Sequence, residues 1–194
     1  DSVVVTKKFD SYIFIRDTTG SMLIYDTGDG TGHRYGAGLS NGHVLRKVVG
    51  RYSNYYGVPE LLPTEAWQVE NKTVECLPEE LTISIDSADV CRYVRINHVV
   101  INENNLATSS IINEIEVKDA FNTGLIYDVN TTMNAIVMFS WDNLQLWCVR
   151  QEVEETNATN TIVVDNHDTR KMIINQQLII QINAEKYSVL GTRL

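Results

Sequence analysis

The chain has 194 residues, 43% of them hydrophobic, and its 25 acids against 16 Lys and Arg leave a net charge of −9. This length makes one large or two small domains, and two units of about 75–100 residues would each enclose a core. The hydrophobic content and only three prolines exclude a disordered chain, and no apolar run reaches the roughly 18 residues that a membrane-crossing helix needs. The charge is uneven: residues 1–75 carry eight Lys and Arg against nine acids, and residues 76–194 carry eight against sixteen. Nucleic-acid affinity comes largely from neutralised phosphates, so the second part is a poor candidate for it. Cys76, Cys91 and Cys148 are odd in number and form no CxxC or Cys/His set, so no zinc site is expected. Either they are three small buried hydrophobes, or Cys76 and Cys91 pair in an exported protein.

Strand signals dominate from the start. Val3–Val5 is a β-branched run, and Tyr12 and Phe14 alternate with Ile13 and Ile15 at the period of two that marks a strand. Thr18-Thr19-Gly20 supplies a turn, and Met22–Tyr25 returns as the second arm of a hairpin. A weaker copy of this FIRDTTGSMLIYD stretch lies 102 residues on, at Val117–Asp128, which predicts a repeated hairpin and a repeated domain. Six of the eleven glycines fall in Gly28–Gly42, so this segment is read as a long connection. It has neither GxxxxGK[ST] nor GxGxxG order, and no EF-hand order, so it is not assigned a phosphate or calcium. His43–Arg51 predicts one strand with a bend at Gly50, Ser53–Gly57 a turn, and Val58–Leu62 and Ala66–Glu70 further extended pieces.

These motifs carry a resemblance. An "IRD-TG-LIY" hairpin, a loop, Val49-Gly50-Arg51-Tyr52 and then Tyr56-Gly57-Val58-Pro59-Glu60-Leu61 resemble the small OB-fold domains of exported lipoproteins and nucleases of Bacteroidetes-type bacteria, over roughly residues 3–70. The resemblance implies that Asp17–Gly20 turns between strands two and three. It places Val49–Tyr52 on strand four and leads Tyr56–Leu61 into strand five. It also implies an exported protein, at the periplasm, cell surface or outside.

Residues 71–90 read as a connector with turn or helix-start signals at Pro78-Glu79-Glu80 and Asp86-Ser87. Cys91–Ile101 is expected to open a second OB-like unit. Ile111–Lys118 and Gly124–Tyr127 would copy the opening hairpin, and Ala135–Phe139 and Leu144–Val153 would form another. No second VxGxY…GVPEL appears, so this unit is expected to be degenerate or differently closed. Glu152–Asn160 reads as a polar linker. Thr169–Leu194 resembles the short β-rich tail that ends many exported Bacteroidetes proteins, with Gln176 and Ala184 in place of its usual glycines, and implies a natural end at Leu194. The expected architecture is all-β: two tandem OB-like five-stranded barrels at 1–75 and 76–160, the second degenerate. A β-hairpin tail at 161–194 is expected to pack on the second.

Catalytic patterns are absent from the sequence. His33, His43, His98 and His167 lie in no HExxH, no serine lies in GxSxG, and Asp17 and Asp119 read as turn caps. Glu79, Glu80, Glu154 and Glu155 read as solvated. No enzyme, cofactor or metal is therefore expected. An OB barrel usually binds through strands two and three and their flanking loops. Of Tyr12, Phe14, Tyr25, Tyr35, Tyr52, Tyr55, Tyr56 and Trp67, the alternation assigns Phe14 and Tyr25 to the core. Tyr35, Tyr55 and Tyr56 with Arg34, Arg46 and Arg51 then form a candidate ligand face, or else those tyrosines pack the barrel mouth. The expected role is a non-enzymatic binding or assembly module for carbohydrate or protein. The alternatives are single-stranded nucleic acid held by Arg46, Lys47, Arg51, Tyr55 and Tyr56, and a structural spacer without a small ligand.

Overall fold

A computed structural model of the protein describes residues 2–141, 143–154, 169–174, 177–182 and 185–188. They form sixteen β-strands and one short 3-10 turn, so the chain is all-β. It divides into two units, Asp1–Glu154 and Glu155–Leu194.

The first unit opens with β1 (Ser2–Phe9), β2 (Tyr12–Arg16), β3 (Ser21–Tyr25), β4 (His43–Arg46), β5 (Gly50–Tyr55), β6 (Val58–Pro63) and β7 (Gln68–Thr73), in the sheet order β5-β6-β3-β2-β1-β4-β7. β1, β2 and β3 form an antiparallel meander, and β6 lies parallel to β3 with Leu23 opposite Glu60. His43–Arg51 is thus two strands rather than one. It breaks at Lys47–Val49, where Lys47 takes a left-handed φ of 53°. β4 pairs with β1 and β5 with β6, so the broken strand links β1 to β6 as the fourth strand of an OB-like barrel. Gly50 sits at the break for a steric reason: a Cβ there would lie 2.4 Å from the Leu62 carbonyl oxygen. Val5, Ile13, Ile15, Ile24, Leu45 and Trp67 fill the interior.

Next come β8 (Glu79–Glu80), the 3-10 turn Ser87–Asp89, and β9 (Tyr93–Ile101), β10 (Leu106–Thr108), β11 (Ile115–Lys118), β12 (Thr131–Ser140) and β13 (Asn143–Val153). Five pairings close β9-β10-β11-β13-β12 into a ring, with β11 and β13 parallel. This is the connectivity of the first barrel, with β12 as an unbroken fourth strand. The second barrel lacks the sequence motif of the first but closes in the same way. Asp86 caps the 3-10 turn through the Ala88 N–H, as its position predicts.

The copied hairpin at Val117–Asp128 is a different structure from the first. β11 ends at Lys118 and no strand follows until β12, so Asp119 comes after the third strand of its barrel while Asp17 lies between the second and third. Within the LIYD segment the Gln151 side chain takes the place of a strand partner at Ile126, its Oε1 accepting from Ile126 N–H at 2.8 Å and its Nε2 donating to Ile126 C=O at 3.2 Å, while Asp128 N–H donates to Ile101 C=O at 2.9 Å. The shared feature is local. Asp17 accepts from the backbone N–H and hydroxyl of Thr19 and from Gly20 N–H, and Asp119 does the same for Thr123 and Gly124.

The two barrels share a seam. β2 carries apolar residues on both faces, which one buried face cannot explain. Ile13 and Ile15 face their own barrel, whereas Phe14, with Leu23 and Val58, packs on Ile136 and Met138 of β12. β12 divides likewise, with Met133, Ala135 and Val137 in the second barrel and Ile136 and Met138 in the seam. Burying each of the seam residues Phe14, Leu23, Val58, Ile136 and Met138 contributes about 1.5–3 kcal/mol. A polar bridge crosses the seam too, where Glu79 accepts from Arg16 at 3.4 Å and from Arg92 Nη2 at 2.6 Å. Glu79 is therefore not simply solvated. Nor is Glu154, which takes the His98 backbone N–H at 2.8 Å and its Nδ1 at 2.5 Å. Glu155 and His167 lie outside the described residues.

The second unit holds an antiparallel three-stranded meander of β14 (Thr169–Ile174), β15 (Gln177–Ile182) and β16 (Glu185–Ser188).

Candidate functional site

Where the seam reaches the surface it opens into a cleft of about 360 Å³, near the lower end of the usual range for ligand pockets. The outward faces of β2 and β3 supply Tyr12, Leu23 and Tyr25. The β5–β6 hairpin adds Tyr55, Val58 and Glu60. Lys118, at the end of β11, also lines the wall. The β12–β13 hairpin contributes Met138, Phe139, Ser140, Gln145 and Trp147. Tyr12 is the hinge of the aromatic array, with its ring 5.3 Å from Tyr25 and 5.4 Å from Trp147.

Two polar groups stand out in this apolar setting. Glu60 is only 7% exposed, on a strand whose neighbouring outward residue is the seam residue Val58. Burial raises its carboxyl pKa above the ordinary value, partly offset by a hydrogen bond from the Ser53 hydroxyl across the β5–β6 ladder. The Trp147 indole N–H is buried and has no hydrogen-bond acceptor among the described residues, an uncommon state for a buried donor. The Gln145 amide is already engaged, donating to Glu116 at 2.6 Å.

The mouth is built from two hairpin tips. β5 and β6 are joined by Tyr56-Gly57, both left-handed (φ 49° and 89°), the geometry of a two-residue hairpin turn. Asn54 secures it by accepting from Gly57 N–H at 2.9 Å. At the β12–β13 tip Trp141 is also left-handed, with φ 51°. A bulky residue with positive φ is uncommon and strained. Here both tips hold an aromatic residue in that state and leave it in solvent. Tyr56 stands 5.0 Å from Trp141 and 4.7 Å from Tyr55, which links the tips to the cleft wall. Trp141 is 74% exposed. Below the tips Gly57 lies against the Phe139 ring, so the two barrels touch at the cleft entrance.

The structure divides the sequence-derived ligand face. Tyr55 and Tyr56 belong to the cleft and its mouth. Arg51 is exposed on β5 and forms no ion pair among the described residues. Arg34 is held by Asp10 at 2.5 Å, and Arg46 by Glu70, which also binds Lys72 at 2.8 Å. Tyr35 packs on Trp67, with ring centres 6.0 Å apart, and Trp67 is buried in the first barrel. Phe14 is fully buried, but in the seam rather than in its own barrel. Tyr25 is half-buried along the cleft.

The glycine-rich connection is organised by Asp26, whose carboxylate accepts from Gly28 N–H at 3.0 Å and Gly36 N–H at 2.6 Å. The three cysteines are free, and burial pushes the Cys91 thiol pKa up to about 12. A second cavity of about 430 Å³ beside Thr6, Lys7 and Cys76 has Tyr93 as its one aromatic wall. No helix among the described residues is long and apolar enough to cross a membrane.

Glu60, Phe139, Gln145 and Trp147 escaped the sequence reading. The available signals were an acid inside the apolar run VPELL and the apolar residues on both faces of LQLWCV. Comparison with protein-family models, curated proteins and solved structures found no match for this chain.

Proposed function

We propose that this protein is a non-catalytic binding module of an exported or cell-surface protein, and that the seam cleft holds a carbohydrate ring. The observation that carries the reading is the convergence of five aromatic side chains on one cavity that is also lined by the buried Glu60 carboxylate. A sugar offers the matching chemistry: apolar C–H faces to lie on aromatic rings, and hydroxyls that both donate and accept. Hydroxyls would donate to Glu60 and accept from Trp147. Glu60 is the single carboxylate among the residues lining the cleft, so the paired acids of glycoside hydrolysis have no counterpart there. The exposed Tyr55–Tyr56–Trp141 row would extend the contact beyond the first ring.

A glycan array followed by calorimetric titration tests this. Binding should be lost or weakened at least about tenfold by Tyr55→Ala, a loss of 1.4 kcal/mol or more. Binding of oligonucleotides at low salt with no glycan bound would overturn it in favour of a nucleic-acid role.

A further inference from the structure

Glu60 poses a problem that a neutral ligand leaves unsolved. It is 7% exposed, and none of the ion pairs among the described residues includes it. Its hydrogen bond from Ser53 is a neutral one. Buried carboxylates are normally paired with a cation, because the desolvation penalty is otherwise uncompensated. Lys118 lines the same cleft, but its side chain is 45% exposed and its ammonium is 3.9 Å from Glu116. The cleft that Glu60 lines is also lined by Tyr12, Tyr25, Tyr55, Phe139 and Trp147, and the face of an aromatic ring attracts a cation. An acidic pocket wall with aromatic sides suits an ammonium group better than a neutral hydroxyl.

We infer that the cleft's ligand carries a cationic nitrogen, seated against the Glu60 carboxylate within the aromatic walls, with an oxygen acceptor placed to receive the Trp147 N–H. An amine and a neighbouring oxygen together describe an amino sugar. This identification of the carrier rests on the carbohydrate reading, whereas the charge does not. A small quaternary ammonium alcohol would present the same two features. The net charge of −9 also favours approach of a cation over an acidic glycan.

The experiment is calorimetric titration of the full chain, near neutral pH, with glucosamine, glucose, N-acetylglucosamine and choline. Glucosamine should bind about tenfold more tightly than glucose or N-acetylglucosamine, since a charge-assisted contact and cation–π attraction are both gained. Glu60→Gln keeps the shape and the Ser53 partner and should bring the three sugars to similar affinity. Tyr55→Ala, an exposed position, should weaken all of them. Equal binding of glucosamine and glucose to the wild-type chain overturns the cationic inference and leaves the carbohydrate reading standing. Choline binding without any sugar binding sustains the cationic site and overturns the carbohydrate reading. If none of the four ligands binds, both are overturned. The wild-type comparison stands even where a variant folds poorly.

Discussion

Replacing Gly57 by alanine puts a methyl group where the Phe139 ring stands. Built on the backbone, that Cβ lies 2.2 Å from Phe139 Cδ1 and 2.7 Å from its Cε1, and the residue has a φ of +89°. Two costs follow. A side chain in left-handed backbone costs about 1–2 kcal/mol, and forcing a carbon into a packed contact adds about 1–3 kcal/mol. The expected destabilisation is therefore about 2–5 kcal/mol. Gly38→Ala separates the terms, because Gly38 has a φ of +82° but nothing within 4 Å of its Cβ position. It should lose only the conformational part. Urea midpoints at unchanged slope give both values. Combining Gly57→Ala with Phe139→Ala should cost less than the sum of the two single changes, since the ring that obstructs the methyl is gone. If Gly57→Ala costs no more than Gly38→Ala, or the double variant is additive, the hairpin tip does not press on the second barrel and the cleft entrance is drawn wrongly.

Glu60→Gln should stabilise the protein at neutral pH. A carboxyl whose pKa is raised in the folded state contributes stability that is full below its unfolded pKa and is lost as pH rises through the folded value. The advantage of Gln should thus be large at about pH 7 and vanish at about pH 4, read from thermal midpoints; a gap independent of pH would refute the buried charge. Phe14→Ala, at a fully buried seam position, should cost about 3–5 kcal/mol in urea titration. Tyr56→Ala, at the exposed tip, should stay within about 0.5 kcal/mol beyond any gain or loss from its positive φ.

The strands themselves were legible, because period-two alternation is local. YIFIR and Met22–Tyr25 form the expected hairpin, and Cys91–Ile101 contains the first strand of the second barrel. The break at Lys47 was not legible: a lysine with positive φ carries no glycine to announce it. The LIYD copy misled for a different reason. Leu23–Tyr25 pairs as part of β3, whereas in the copy no strand forms and Ile126 bonds one glutamine side chain from β13. Glu79 and Glu154 looked solvated because their partners Arg16 and His98 lie 63 and 56 residues away. The cleft was half visible. Tyr55 and Tyr56 announced themselves in a turn, while Trp147 and Glu60 acquire meaning only when two outward apolar faces meet. Alternation can reveal such faces but cannot pair them.

The chain has three tryptophans, and each sits in a different environment: Trp67 inside the first barrel, Trp141 exposed at the mouth, and Trp147 in the cleft with its N–H lacking an acceptor. Their indole N–H resonances in a two-dimensional ¹H–¹⁵N spectrum, assigned with Trp147→Phe, give the most direct test. On titration with glucosamine the Trp147 signal should move downfield as its proton gains an acceptor, with a smaller shift at Trp141 and none at Trp67. A Trp147 signal that stays fixed while other resonances report binding would contradict the assignment of the cleft as the site.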